Sequence, residues 1–522
     1  MLAIGRASRN AIGMQGHSDP NRELLDAAAL CRRLVPQGSV ESFLSDHRQE
    51  LFPDELFADL FPSGRGRPSV PADVMATVMV LQSLEGLSDR DAARALKDRI
   101  SWKVACGLAL DDEGFHHSVL TYWRARLRSS EHPERIFDAV RRVVDATGLL
   151  KGRTRRALDS TLLDDAVATQ DTVTQLISAI RRVRRVVPET TPVALSAHDY
   201  DAGSKPVIAW DDPVAKQELV SGLVNDALAL IGSLQRAELT EEQQDAVSLL
   251  GLVAGQDVEP GEAQGTWRIA HQVAPDRVIS VVDPEARHMH KSRSHYRDGY
   301  KAHLAVEPET GIVTAATLTP ANATDGPAGV ALLASEEPGL EVLADSAYGS
   351  GETRAALADA EHRAVIKPIP LRTAVPSGFT LDDFTIDTSA GTVTCPQGFT
   401  VAITRHGRAV FGPRCGGCPV RDRCTRSIRG RTIKLHPHHD LLAAARREAG
   451  TEEFHIPYRK HRPMVERSIA WLVADGHRRV RYRGVARNRS GLSLRVAAIN
   501  LRRLVNLGLH HDGGWVLTTP TT

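Results

Sequence analysis

Aromatic residues make up only 5% of this 522-residue chain, and it has only 6 cysteines. So few cysteines over such a length exclude a disulfide-built scaffold of the small secreted kind. No apolar run approaches the roughly 20 residues that cross a bilayer. Met1 to Gln15 lacks the apolar centre of a secretory signal. A cytoplasmic protein with no membrane partner is expected. Charge of one sign is not in excess either: 65 Lys and Arg stand against 64 Asp and Glu. Net charge therefore names no partner, and only its distribution can. Residues 459–503 hold 13 Lys and Arg, with Glu466 and Asp475 as the only acids. The length itself implies about two to four domains.

Along the chain, residues 1–42 are irregular. Residues 43–150 have the pattern of a helical, helix-turn-helix-like domain. Pro71 to Leu84 carries Val74, Met75, Val78, Met79 and Leu81 near the helical period. Gly86-Leu87-Ser88 ends that helix and caps the next, with Ser88 as N-cap and Asp91 three residues on. Ser88 to Leu96, a short break, and His117 to Leu127 complete the pattern. Arg124, Arg126 and Arg128 suit a solvated face as well as a phosphate contact.

Residues 151–367 alternate differently. Ala157 to Leu163 reads as a strand, residues 172–255 as a helical insertion, and Arg277 to Val282 as a further strand. Tyr300 to Val306 and Ile312 to Leu318 form a hairpin across Pro308-Glu309-Thr310-Gly311. Asp325 to Ser335 is a crossover helix, Leu340 to Ala344 a strand, Glu352 to Glu361 a helix and Arg363 to Lys367 a strand. Residues 368–453 form a Cys-rich, β-rich insertion. Residues 454–510 read as helices with a basic region, and 511–522 as a tail. The expected class is α/β: a ribonuclease-H-like mixed sheet with flanking helices, plus an N-terminal all-helical domain and the insertion.

Three carboxylates stand out. Asp159 and Asp345 end short apolar runs, and Glu466 sits in a helical pattern with Val465, Ile469, Leu472 and Val473. An aspartate after a strand is usually a turn or cap residue, and Asp164 and Asp165 follow Asp159 closely. A glutamate on a helix is usually solvated. Brought together, however, three carboxylates can hold two divalent cations over a phosphate. Arg462, one turn before Glu466, can lie on the same side of the helix and is expected among the DNA-binding residues. The arginines Arg478, Arg479, Arg481 and Arg483 adjoin this region and favour contact with the DNA backbone over a merely solvated face. Lys301 and His303 share one strand face and are placed toward substrate. A histidine–metal reading of His288 to His295 is weaker than that of a polar loop.

Cys395, Cys415, Cys418 and Cys424 have metal-like spacing around the C-x₂-C knuckle Cys415-Gly416-Gly417-Cys418. Four thiolates describe a structural Zn²⁺ site. Four free or buried thiols, or a redox pair at Cys415 and Cys418, are the alternatives.

The words Leu158-Asp159-Ser160-Thr161 and Leu343-Ala344-Asp345-Ser346-Ala347-Tyr348-Gly349, with Arg462 and Glu466, resemble the DDE transposases of bacterial insertion sequences. Gly86 to Arg94 and Tyr122 to Leu127 are similar to the N-terminal domain of that family. The resemblance runs from about residue 43 to 510. It implies that Asp159, Asp345 and Glu466 bind Mg²⁺ or Mn²⁺, two ions per site. It further implies cleavage at the terminal inverted repeats of an element, 3′-hydroxyl transfer into target DNA, and a homodimer or larger synaptic complex at the bacterial nucleoid. Tyr458 lies one residue further from Arg462 than the family's signature has it, and Val473 occupies its basic position. A two-metal nuclease without strand transfer, or a domesticated DNA-binding protein without chemistry, are the alternatives. Cys-bearing insertions occur in some relatives of the group.

Overall fold

A computed structural model describes residues 14–18, 25–63, 65–272, 274–290 and 296–518. A short helix at Ala27–Cys31, within the segment expected to be irregular, precedes six further helices: α1 (Val40–Leu51), α2 (Ala72–Glu85), α3 (Asp89–Asp98), α4 (Ile100–Cys106), α5 (Ser118–Ser129) and α6 (Arg135–Ala146). Ser88 caps α3 by accepting from the Asp91 amide at 3.2 Å. Helix α4 occupies part of what the sequence suggests is a break between 96 and 117.

Helix α2 is more than one face of an amphipathic pattern, since every residue from Ala72 to Gln82 is buried. It runs through the middle of the helical part, so its polar side chains need internal partners. Asp73 accepts from Arg48 at 3.0 Å, and Gln82 donates to Asp89 at 2.8 Å. The helix ends at Gly86, whose φ of +66° is left-handed; a Cβ there would stand 1.9 Å from the Asp475 carbonyl oxygen. Both the backbone angle and the close approach call for glycine.

The central sheet is built on β1 (Arg155–Asp164). Strand β2 (Arg287–His290) pairs with the start of β3 (Tyr296–Val306), and β4 (Val313–Pro320) with its later part. Strands β1 and β3 are antiparallel, with Asp159 opposite Leu304. Next come helix α10 (Asp325–Leu332), strand β5 (Glu341–Ala344), helix α11 (Gly351–Asp359) and strand β6 (Arg363–Ile366). Strand β5 is parallel to β1, and β6 is parallel to β5. The strands thus run β4-β3-β1-β5-β6, two antiparallel pairings followed by two parallel ones. One face packs Leu158, Val342, Ala344 and Ile366 with Leu332, Leu357 and Tyr348. The other packs Ala157, Leu343 and Val365 into the largest core, shared with α1, α2, α5, α6 and the C-terminal helices. The helical N-terminal part and the sheet are therefore one hydrophobic body.

Helices α7 (Thr172–Val186), α8 (Pro213–Ser233) and α9 (Glu241–Gln256) fill the insertion after β1 and have a core of their own. The strand expected at Arg277 to Val282 does not form. Its backbone is bonded by glutamine side chains instead: Val278 N–H donates to Gln256 at 2.9 Å, and Val281 N–H to Gln170 at 2.9 Å. The Val278 carbonyl accepts from Gln175 at 2.9 Å. These amides satisfy much of the segment, which meets the sheet only at an isolated bridge between Val278 and Arg287.

Residues 385–434 form a three-stranded and a two-stranded sheet over Phe384, Val393, Phe411, Cys424 and Ile433. Helices α12 (His439–Glu448), α13 (Glu452–Val473) and α14 (Val485–Asn506) follow. The end of the chain is more than a tail, because Leu509–His511 pairs with Trp515–Leu517. No helix among the described residues is long and apolar enough to cross a membrane.

Candidate active site

Asp159 is not at the end of its strand as the sequence suggests; β1 continues to Asp164 because the long antiparallel strand β3 carries it on. What ends near Asp159 is the parallel neighbour. Ala157 is the register partner of Leu343, so Asp159 and Asp345 both lie two residues past that pair. Side chains alternate along a strand, so both carboxylates emerge on the face of Ala157 and Leu343, where α13 packs. Asp164 and Asp165 lie five and six residues beyond Asp159, roughly 16–20 Å along the strand. Asp164 pairs with Arg297 at 2.6 Å, and Asp165 is buried at the far end.

Helix α13 lays Tyr458, Arg462 and Glu466 on successive turns of one side. The Arg462 Nη2 lies 3.1 Å from Asp159 Oδ2, and its Nη1 lies 4.0 Å from Glu466 Oε1. Arg462 is buried, whereas the Glu466 side chain is 65% exposed. Burial pushes the Asp159 carboxyl above its ordinary value; Arg462 and the neighbouring Ser160 amide oppose this, and Asp345 adds to it. Burial lowers the Arg462 guanidinium, but Asp159, Tyr458 and Asp345 outweigh it and raise the group overall. The Nε and Nη1 atoms of Arg462 are buried without a hydrogen-bond partner. The Arg462 guanidinium is thus a buried positive charge set between Asp159 and Glu466.

The donors Asp159, Asp345 and Glu466 are hard oxygens of the kind that Mg²⁺ and Mn²⁺ take. Among the described residues, no group of three or more His, Cys, Asp or Glu is gathered closely enough to hold a metal. Glu466 lies 4.0 Å from the guanidinium that also contacts Asp159. The fit is therefore one of chemistry and of a shared face.

Lys301 and His303 are in the sheet interior, which corrects their expected contact with DNA. Lys301 lies 3.0 Å from Asp325 Oδ1 and donates to the Ala323 carbonyl at 2.7 Å. His303 bonds Thr319 at 2.9 Å, and burial drives its ring down to about 4. His288 bonds Asp298 at 2.5 Å; residues 291–295 of that stretch lie outside the described residues.

The arginine run has more structural work than a solvated face. Arg478 donates to Thr161 Oγ1 at 2.7 Å and to the Leu162 carbonyl at 2.9 Å. Arg479 donates to the Asp165 carbonyl at 2.9 Å, and Arg481 to the carbonyls of Gly86 and Leu87. Together they tie the 476–484 segment to β1 and to the end of α2. Arg479, Arg481 and Arg483 still present exposed surface. Arg124 is buried and bound to Asp89 at 2.8 Å, so it is no phosphate contact.

Cys395, Cys415, Cys418 and Cys424 line one small cavity in the insertion. Burial pushes the Cys424 thiol up, and the other three cysteines act in the same direction. The sequence spacing did bring four thiols together, although not at ligand distance.

Residues 394–505 match the sequence model described as a transposase DDE domain, and residues 31–126 match a transposase domain (DUF772). Two separate segments of the chain are thus similar to transposase domains. The first match includes Arg462, Glu466 and the four cysteines; Asp159 and Asp345 lie outside both. No curated protein and no solved structure matches this chain. Sequence reading gave Lys367 a place in a strand and no role. In the structure it stands beside Asp345 with its ammonium 5.0 Å from the centre of the Tyr458 ring. Its position two residues past Val365 in a parallel strand was the available signal.

Proposed function

We propose that this chain is a DDE-type transposase that cleaves DNA at the ends of an insertion sequence and transfers the freed 3′-hydroxyl into target DNA. The observation that carries the reading is Asp159 and Asp345 at one level on adjacent parallel strands, facing a helix that presents Arg462 and Glu466. Strand order and the helices on both faces support a ribonuclease-H-like assignment for the sheet. Two Mg²⁺ or Mn²⁺ ions held by Asp159, Asp345 and Glu466 would supply activation of the attacking oxygen and charge stabilisation of the leaving one.

The chain's own residues position the reaction. Arg462 holds the Asp159 carboxylate from the helix side, and its burial keeps that contact dry. Tyr458 packs against Phe454 with ring centroids 5.4 Å apart and fixes the start of the same helix. In the first step a water oxygen bonds to phosphorus as the bond to the 3′-oxygen breaks, leaving a 3′-hydroxyl. In the second, that hydroxyl bonds to a target phosphorus as one target P–O bond breaks. The first step hydrolyses one phosphoester bond, leaving a 5′-phosphate beside the 3′-hydroxyl, and the second exchanges one phosphoester bond for another, with no covalent enzyme intermediate.

DNA would lie against a composite basic surface. Arg128 on α5 approaches the start of α14, where Arg487 lowers the Arg128 guanidinium after the larger effect of burial. Arg479, Arg481 and Arg483 add to it. Contacts of this kind hold DNA in register and carry no base specificity. Joining two element ends calls for a dimer or larger synaptic complex, working on nucleoid DNA in the bacterial cytoplasm. Cys395, Cys415, Cys418 and Cys424 would hold one structural Zn²⁺, since four thiols share one cavity and leave no open position.

The test uses DNA from either side of the gene, where short inverted repeats are expected. Incubation of labelled ends with the full chain and Mg²⁺ should give nicked ends and then joined products. Nicking without joining would favour a two-metal nuclease, and binding with neither would favour a domesticated DNA-binding protein.

A further inference from the structure

Three charged side chains form a row where the parallel strands end. Ala157, Leu343 and Val365 are register partners across β1, β5 and β6. Asp159, Asp345 and Lys367 each lie two residues further on. Alternation brings all three out on the sheet face that packs against α13. That helix meets Lys367 directly, with the Nζ 5.0 Å from the Tyr458 ring centroid. An ammonium over an aromatic face is attracted by the ring and restricted in its motion. Lys367 is exposed, and among the described residues its ammonium has no carboxylate partner and no hydrogen-bond acceptor.

An oriented but unneutralised ammonium beside Asp345 is available to an anion. The basic position of the family signature is taken by Val473, a partly buried side chain packed on the main core. It offers nothing to a phosphate. We propose that Lys367 binds a phosphodiester oxygen of the DNA strand that crosses Asp159 and Asp345, next to the scissile phosphate. This rests on the carboxylate site proposed above. The contact would be that of a point charge on a phosphate oxygen, which holds the strand in place without reading bases. The ring of Tyr458 would keep the ammonium at the strand ends.

Binding of the full chain to terminal DNA from the gene's flanks is measured against salt with no divalent metal and no chelator added, so that cleavage does not occur and the cysteine cluster is undisturbed. Lys367→Met should lower the slope of log affinity against log salt by about 0.9, the value of one phosphate contact on duplex DNA. Lys367→Arg should restore it. Methylphosphonate placed singly along the strand should weaken the wild type at a phosphate beside the cleavage point and leave Lys367→Met unaffected there. The melting temperature of each variant should match the wild type, because the side chain is exposed. A Lys367→Met slope equal to the wild type, or equal losses along the methylphosphonate series in both proteins, would overturn the proposal. Failure of the carboxylate reading shows up separately, as wild-type DNA binding with no nicking in Mg²⁺.

Discussion

Arg462 lies 3.1 Å from Asp159 and 4.0 Å from Glu466, so one buried guanidinium connects the central strand to the helix that crosses it. The sheet delivers Asp159 and Asp345 through parallel register. The helix delivers Glu466 on the turn after Arg462. The geometry of the site thus depends on a cation supplied by the protein itself.

Replacing Arg462 with alanine should lower single-turnover nicking by about 100-fold, the usual order for misplacing a reacting group by about 1 Å. DNA affinity should change little, because the side chain is buried. Arg462→Lys should recover only part of the rate, since an ammonium cannot span both carboxylates. A quench-flow assay beside a gel shift separates the two effects. A proportional loss of binding would assign Arg462 to DNA contact instead.

Arg495 should be a stability residue with no direct role in chemistry. It is buried, and it donates to the carbonyls of Leu84 at 2.9 Å, Trp471 at 2.6 Å and Leu472 at 3.3 Å, as well as to that of Ser83. It therefore terminates α2 and α13 together. Arg495→Met should cost on the order of 3 kcal/mol through lost charged hydrogen bonds, read as a lower midpoint in urea unfolding. An unchanged midpoint would mean that water can replace those bonds.

Asp165 should give the fold a pH dependence. Burial first, and then Asp298 and Asp283, push its carboxyl up to about 6, against about 3.9 in an unfolded chain. Between those values the folded state binds a proton that the unfolded state lacks, so stability falls as pH rises from about 4 to 6. Asp165→Asn removes the charge and should flatten that part of the curve, leaving the variant relatively more stable at neutral pH. Melting temperatures of both proteins across the interval check the sign. Parallel curves would show that Asp165 does not titrate there.

Sequence made the local elements around the site readable, because each has its own signal. Ser88 caps a helix, Gly311 turns a hairpin, and short apolar runs end near Asp345. It was less informative about what joins distant parts. Alternation along β1 places Asp159, yet only the pairing with β3 shows that the strand continues past it. The stripe on α2 could not reveal that the helix is buried on all sides, because Asp73 and Gln82 look like surface residues until Arg48, Arg124 and Asp89 are placed beside them. The arginines after residue 477 read as a DNA grip; the carbonyls of Gly86, Leu87 and Asp165 that occupy them come from other elements. Lys301 and His303 read as accessible because Asp325, their neighbour in the fold, is 22 or more residues away in the chain.

Protein purified without chelator should contain about one zinc per chain, held by Cys395, Cys415, Cys418 and Cys424. Removing it should expose residues 395–424 to protease while the central sheet resists. Four freely titratable thiols with no zinc would contradict the assignment.

The most direct measurement of the central claim is nicking of labelled terminal DNA in Mg²⁺ by Asp159→Asn, Asp345→Asn and Glu466→Gln, with gel shifts on the same DNA. Each substitution keeps the size of the side chain and removes its charge. The account predicts loss of nicking in all three with DNA binding nearly intact, while Asp164→Asn retains activity. Robust nicking by any of the three would remove that residue from the site and contradict the account.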